Sequence, residues 1–311
     1  MKMAHLNGGI AKLPTFALAV SMASVSGARA QAPQPDGAGL ERGTLPASWA
    51  EPPDACATRQ SDFRLHEYNP DLYILRQSGC TNYEKPFLYL IFGDGQALLV
   101  DTGARGARVA DAIAAALKRW ADAHGKPIPR LVAAHSHAHG DHVAGDSALA
   151  AMPGVTVVGT SPEAVQRFFA LRAWPDSIAT FDLGGRALDV IPIPGHERAS
   201  IAIYDRRTGI LLTGDTMYPG RLYVADGAEF TKSVRRLVDF TRERRVAHVL
   251  GAHIEEARTP FLDYPIGTRF QPDEHALELS RGHLLELHDA LSQMGSTIVR
   301  RAMADFTIWP K

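Results

Sequence analysis

Apolar positions recur along this chain at two spacings, and their alternation sets out the architecture. The runs LYILRQ (72–77), FLYLIF (87–92) and ALLVD (97–101) read as strands, the last two joined by the turn Gly93-Asp94-Gly95. From Ala107 to about Ala123, Val109, Ile113, Leu117 and Trp120 fall at helical spacing. PRLVAAHSH follows as a short apolar strand that ends in histidines. The alternation then repeats. VTVVGT reads as a strand, and Ser161-Pro162-Glu163 opens a helix with a capping serine and a proline in its first turn. ALDVIPIPGH, SIAIYD and GILLTGD read as three strands, SVRRLVDFTRERR as a helix and VAHVLGAH as a strand. Residues His275 to Leu291 read as a terminal amphipathic helix with Leu277, Leu284, Leu287 and Leu291 on one side. Two successive blocks of strands flanked by helices predict an α/β fold, a sandwich of two sheets covered by helices on both outer sides. No short-period repeat and no second domain interrupts it.

The first 60 residues lie outside this pattern. Lys2 and Lys12, the weakly apolar LPTFALAVSMAS (13–24) and Ala28-Arg29-Ala30 read as a cleavable signal peptide over residues 1–30. That run is too short and too interrupted to span a membrane, and nothing later approaches ~20 consecutive apolar residues. Residues 31–60, rich in Pro, Gly, Ala and Gln as far as Asp54, read as a flexible lead-in, leaving 61–311 as the catalytic domain. The expectation is a soluble protein without membrane insertion, exported to the periplasm or secreted. An isolated pair of cysteines, Cys56 and Cys80, favours a disulfide in such an oxidising compartment; the alternative is two unrelated buried thiols. Neither lies near the histidines or in a CxxC pair, so neither reads as a metal ligand.

Charge narrows the partners. The chain has 33 Lys+Arg and 34 Asp+Glu. Removing residues 1–30 takes away Lys2, Lys12 and Arg29 and no acid, which leaves 30 against 34, a net of about −4. No basic footprint for nucleic acid is present. The 45% apolar content supports a sizeable core, and the expected partner is a small-molecule substrate, with the oligomeric state left open.

The chemistry is concentrated in AAHSHAHGDHVAGD (133–146). Two histidines two residues apart on an extended segment point the same way, so His137 and His139 can hold one ion. Asp141 and His142 follow Gly140, where the chain can turn, and face a neighbouring position. The pattern HxHxDH fits only from His137 to His142, because starting at His135 would put His139 where the acid belongs. His135 therefore reads as a structural residue supporting the ligands. His66, His124, His248, His275, His283 and His288 read as ordinary surface or core residues.

These residues resemble the metallo-β-lactamase superfamily over nearly all of residues 68–255. LLVDTGA (98–104) is similar to the family's strand ending in Asp-x-Gly, and the resemblance implies that Asp101 supports the metal site from behind the ligands. IPGHERAS carries His196 after a Pro-Gly turn, LLTGDTMY carries Asp215 at a strand end, and VLGAHIE carries His253 in the same setting. Carried over by position, the resemblance implies that His137, His139 and His196 bind a first metal. Asp141, His142 and His253 would bind a second, and Asp215 would bridge both. Imidazole and carboxylate suit two Zn²⁺ per chain, with iron or manganese able to use the same ligands.

Two divalent cations, less Asp141, Asp215 and a bridging hydroxide, leave roughly +1, enough to bring the pKa of bound water from about 16 toward about 7. The implied reaction is hydrolysis of an ester, thioester, lactone or lactam, with Asp141 orienting the hydroxide or moving its proton. The bridging Asp215 resembles the glyoxalase II, lactonase and phosphodiesterase branches, where true metallo-β-lactamases usually carry Cys or Ser. No recognisable glutathione-binding basic motif stands in the C-terminal segment, which counts against glyoxalase II itself. The alternatives are a β-lactamase, a mononuclear-iron sulfur dioxygenase, and a binding protein that kept the fold; the complete ligand set counts against the last. Two departures from the family pattern, His142-Val-Ala-Gly145 and Gly195-His-Glu-Arg-Ala-Ser200, alter the pocket lining and no ligand. Substrate contacts are expected from residues 217–224, the stretch after His196, and the long segment 255–275, with Tyr218, Tyr223, Arg198 and Arg269 as candidates for anchoring an anionic group.

Overall fold

A computed structural model describes Met1 and residues 39–58 and 61–311; the signal-peptide reading of residues 1–30 falls outside the described residues, apart from Met1. Helix α1 (Ala55–Thr58) carries Cys56. Strands β1 (Phe63–Asn69), β2 (Leu72–Gln77), β3 (Phe87–Phe92) and β4 (Gln96–Val100) run antiparallel in sequence. Helix α2 (Val109–His124) crosses back to β5 (Arg130–Ala134), and the short helices α3 (Gly140–Val143) and α4 (Asp146–Ala150) lead to β6 (Val155–Val157), so that β4, β5 and β6 are parallel. These six strands form one sheet in chain order.

Helix α5 (Pro162–Phe168), capped by the Ser161 hydroxyl on the Ala164 amide, opens the second half. Its strands are β7 (Ala179–Asp182), β8 (Ala187–Pro192), β9 (Ile201–Asp205) and β10 (Ile210–Gly214). The chain then leaves the sheet through β11 (Arg221–Val224) and α6 (Gly227–Phe240) and returns as β12 (His248–Gly251), parallel to β10. Strand β13 (Glu278–Leu279) lies at the sheet edge against β12, and α7 (Arg281–Met294) follows. Finally β14 (Arg301–Ala302) and β15 (Thr307–Pro310) join β11 in a small third sheet.

The apolar runs are continuous because each of their strands is covered on both faces. In β3, Phe87, Tyr89 and Ile91 join the layer between the sheets with Leu98, Val190, Ile203 and Leu212. Leu88, Leu90 and Phe92 point the other way, into α2 residues Ile113, Leu117 and Trp120. In the second sheet Leu211 and Val249 pack outward on Val234 and Leu237 of α6 and Leu284, Leu287 and Leu291 of α7. The result is four layers, helix, sheet, sheet and helix. Helix α7 begins at Arg281, later than the apolar spacing suggests, because the Ser280 side chain caps it and residues 278–279 are drawn into the sheet.

Residues 39–58 do not behave as the flexible lead-in expected from their composition. The Glu41 amide donates to the Arg207 carbonyl and the Thr44 amide to Tyr68, each at 2.9 Å. Trp49 is 1% exposed and packs edge-on against Phe87 at 5.0 Å. One buried indole offsets much of the ordering cost of such a segment, since an aromatic side chain removes 150–250 Å² from water, roughly 4–6 kcal/mol. Cys56 and Cys80 form a disulfide with a Cα–Cα separation of 5.3 Å, which ties α1 to the loop between β2 and β3. No helix among the described residues is long and apolar enough to cross a membrane.

Candidate metal centre

Strands β4, β5, β8, β10 and β12 all end at one edge of the sandwich, and each end delivers a polar residue there: Asp101, then His137, His196, Asp215 and His253. Rigid strands fix these positions while the segments beyond them leave the centre open. Two glycines make the approach possible. Gly214, at φ +52°, lies against Ser136, whose Cβ would stand 2.6 Å from any added Cβ. Gly195, at φ +135°, lets the turn before His196 pass the backbone of α6, where an added Cβ would lie 2.4 Å from the Phe230 backbone. The Glu197 carboxylate accepts from the Ala199 amide at 2.8 Å and reaches the Ala138 amide at 3.4 Å, tying the His196 turn to the segment between His137 and His139.

Two donor groups result, His137, His139, His196 and Asp215 in one, and Asp141, His142, His253 and Asp215 in the other. In the first, His139 Nδ1 lies 2.9 Å from His137 Nε2 and 3.0 Å from His196 Nε2, with Asp215 Oδ2 3.7 Å and 3.5 Å from those two nitrogens. In the second, Asp141 Oδ2 is 3.2 Å from Nε2 of both His142 and His253, and Asp215 Oδ1 is 3.6 Å and 3.4 Å from the same nitrogens. The two oxygens of one carboxylate thus serve different groups.

The ring nitrogens facing away from the centre are held by acceptors. His142 Nδ1 donates to Asp101 Oδ2 at 2.9 Å, His196 Nδ1 to the Tyr223 carbonyl at 2.8 Å and His253 Nδ1 to the Glu84 carbonyl at 2.9 Å. Those bonds leave Nε2 of each ring facing inward, where it can coordinate an ion once it carries no proton. The Ser136 hydroxyl donates to Asp101 Oδ2 at 2.8 Å and sits 3.1 Å from His137 Nδ1, so it accepts there. Asp101 itself stands at φ +67°, an uncommon conformation for a residue other than glycine, where its carboxylate also receives the Ser136 amide at 2.7 Å.

Lone pairs and carboxylate oxygens that converge in a buried space repel unless a cation stands among them. Asp215 Oδ1 is buried and has no hydrogen-bond partner among the described residues, the mark of an acceptor prepared for something other than protein. Ligands about 2.0–2.1 Å from a tetrahedral ion lie about 3.3 Å apart, which is the spacing seen in both groups. The donor set fits two divalent ions.

Proton affinities divide along the same line. Burial drives His137 well below the usual histidine range, assisted by the neighbouring His142, and brings His196 down to about 4. In His142 and His253 burial acts in the same direction but is outweighed by the carboxylates around them, Asp101, Asp215 and Asp141, and His253 rises to about 9. Burial alone would raise Asp215; His253, His142 and His137 overcome it and hold the carboxylate well below its ordinary range. Asp141 is likewise held ionised, against burial, by His142 and His253.

The remaining sequence candidates separate. His135 stands outside both groups, with Nε2 2.8 Å from Asp146 Oδ1, a carboxylate that also accepts from the Thr102 hydroxyl. Tyr218, expected among substrate anchors, is instead a core residue: it is 1% exposed, its hydroxyl donates to the Arg221 carbonyl, and its ring lies edge-on to His253 at 5.6 Å. Arg198 is 82% exposed and its charge acts on Glu163 at the start of α5. Arg269 is exposed and meets its neighbours through its carbonyl, which accepts from Lys85 Nζ at 3.2 Å. Neither arginine is brought to the centre. Tyr223 is, half-buried beside His196. Two residues the sequence reading did not single out also stand at the rim. Tyr83 is 40% exposed, with its hydroxyl pushed up to about 12 by a hydrogen bond to Glu84. Lys311 follows β15, and its charge is felt at His139 and His196.

Comparison with known proteins supplies the context. A family model described as the Metallo-beta-lactamase superfamily matches residues 85–263. A hydroxyacylglutathione hydrolase from Anaeromyxobacter dehalogenans is 36% identical over 147 residues, which are 46% of this chain and 49% of that protein. A second, from Methylococcus capsulatus, is 28% identical over 166 residues, 52% of this chain and 61% of that protein. The chain therefore spans about half to three-fifths of the length of these relatives. A solved metallo-beta-lactamase from Pontibacter korlensis is 18% identical with a TM-score of 0.49, covering 74% of this chain and 99% of that one.

Proposed function

This chain belongs to the metallo-beta-lactamase superfamily, and from that premise we propose that it is a metal-dependent hydrolase of the glyoxalase II-like kind, exported, with two ions per molecule. The observation that carries the reading is Asp215, whose Oδ2 faces His137 and His196 of the first group while its Oδ1 faces the second group and has no hydrogen bond among the described residues. When bound, two divalent ions would acidify a water and polarise a carbonyl oxygen. The chain's own part is geometric and protonic. Asp101, Glu84 and Tyr223 hold the imidazole rings from behind, so that little reorganisation is needed as the reaction proceeds. Asp141 keeps 21% of its side chain exposed while held ionised, so it is positioned to accept a hydrogen bond from an attacking water and orient it.

Among ester, thioester, lactone and lactam, the relatives' name brings the thioester of a hydroxy acid forward as the first substrate class to assay. The Cys56–Cys80 disulfide supports export, since such bonds persist in oxidising compartments. The test is a hydrolysis panel of thioester, ester, lactone and nitrocefin on zinc-, iron- and manganese-loaded protein, with oxygen consumption followed in parallel. Turnover that a chelator abolishes and divalent metal restores is the expected result. No turnover of any of the four, or oxygen uptake on a persulfide with a single iron bound, would overturn it.

A further inference from the structure

Strand β15 runs parallel to β11, pairing Tyr223 with Trp309 and Val224 with Pro310. The Lys311 amide then donates to the Val224 carbonyl at 2.9 Å, which sets the lysine beside the strand whose Tyr223 carbonyl holds His196. Its ammonium lies 5.3 Å from the centre of the Tyr223 ring. Beyond it the Trp309 ring stands 6.1 Å from that of Tyr223, and the Arg300 guanidinium lies 3.7 Å over Trp309. Lys311 and Arg300 are both exposed, and among the described residues neither forms an ion pair with a carboxylate. Lys311 is thus an unpaired cation on the Tyr223 face, beside the strand that holds His196 of the first donor group.

We propose that the Lys311 ammonium receives a carboxylate carried by the acyl substrate, so that the enzyme prefers anionic esters and thioesters to neutral ones. The inference rests on the hydrolase reading and specifies its substrate class. A lysine resting on a tyrosine face keeps its charge and loses part of its rotamer freedom, which suits it to hold an anion at a set distance from the reacting carbonyl. With the acid group held at Lys311, beside Tyr223, the carbonyl end of the substrate is the end left to reach the centre.

The test compares p-nitrophenyl butyrate with mono-p-nitrophenyl succinate, which share a leaving group and chain length and differ by a terminal methyl against a carboxylate, each rate being taken above the spontaneous hydrolysis of that ester. In Lys311→Gln the ratio of kcat/KM for the anionic over the neutral ester should fall about tenfold, chiefly through KM, and further in Lys311→Glu. Raising the salt concentration should lower the wild-type ratio in the same direction. Lys118→Gln, on the exposed side of α2 and paired with Asp122, serves as the control and should leave the ratio in place. A ratio unmoved in both Lys311 variants would overturn the proposal, as would equal losses on the two esters. Should the wild type hydrolyse neither these esters nor a thioester, lactone or nitrocefin, the hydrolase reading is what fails. Lys311 is then judged by calorimetry with succinate, where weaker binding to Lys311→Gln supports the anion site and unchanged binding overturns it.

Discussion

Three imidazoles and one oxygen of Asp215 make up the first donor group; two imidazoles, Asp141 and the other Asp215 oxygen make up the second. The first carries one shared carboxylate and is backed by a serine hydroxyl and a backbone carbonyl. The second carries a carboxylate of its own and has Asp101 behind His142. Negative charge therefore accumulates around the second group. Its histidines answer by holding protons, while those of the first stay neutral. The difference teaches that one fold edge has made two sites of unequal character, one ready to coordinate as it stands and one that must release protons first.

The largest expected effect comes from removing a ligand on either side. His137→Ala and His142→Ala should each cost one bound ion and more than about a hundredfold in activity, beyond what supporting residues contribute. His142→Ala should in addition destabilise the fold, because it takes from the buried Asp101 carboxylate its imidazole partner and leaves Ser136 as its donor. Equal stability of the two variants would break the comparison. Next comes Asp101→Asn, which should weaken the second ion by about 10–100-fold and leave the first nearly untouched, as measured by competition with a chelating dye.

Titration sharpens the contrast. His253 rises from 6.5 to about 9 in the metal-free protein, so the stability it contributes is complete below about pH 6.5 and is lost as pH rises through about 9. Binding of the second ion should then release protons at pH 7 and strengthen as pH rises toward 9, whereas the first, with His196 at about 4, should be nearly independent of pH above about 6. Calorimetry in two buffers of different ionisation enthalpy reads this directly. Paired Cys56→Ser and Cys80→Ser changes should lower stability by about 3 kcal/mol in chemical denaturation, from the 24-residue separation they close. Because that loop continues to Glu84, whose carbonyl holds His253, the second ion should weaken and the first should not. Smallest of all, Arg198→Ala should change stability by less than about 0.5 kcal/mol and move neither ion.

The converging donor residues were legible because each lies next to something the sequence marks, either the HxHxDH spacing or the end of an apolar strand, as at Asp215 and His253. The two-sheet architecture was legible for a related reason, since runs such as FLYLIF fit only strands with cover on both faces. What holds the ligands from behind was only half visible. Asp101 stands out as a side chain, but the Glu84 and Tyr223 acceptors are backbone carbonyls, which any residue supplies. Lys311 was hidden because its place depends on a parallel pairing between residues 221–224 and 307–310, a long-range contact that leaves no local pattern. Tyr218 misled for the converse reason: a tyrosine three residues after Asp215 looks like a site residue, yet its hydroxyl is spent on Arg221 and Glu255. In residues 39–58 Pro and Gly masked the one signal that mattered, the solitary Trp49.

The central claim is that Asp215 is shared by two ions, and elemental analysis of metal per chain in wild type and Asp215→Ala addresses it most directly. Two zincs per chain in the wild type, falling to one or none in the variant, is the result expected of a carboxylate facing both groups. One ion per chain in both proteins would contradict the account, because a bridging ligand cannot be removed without cost to a pair that it joins.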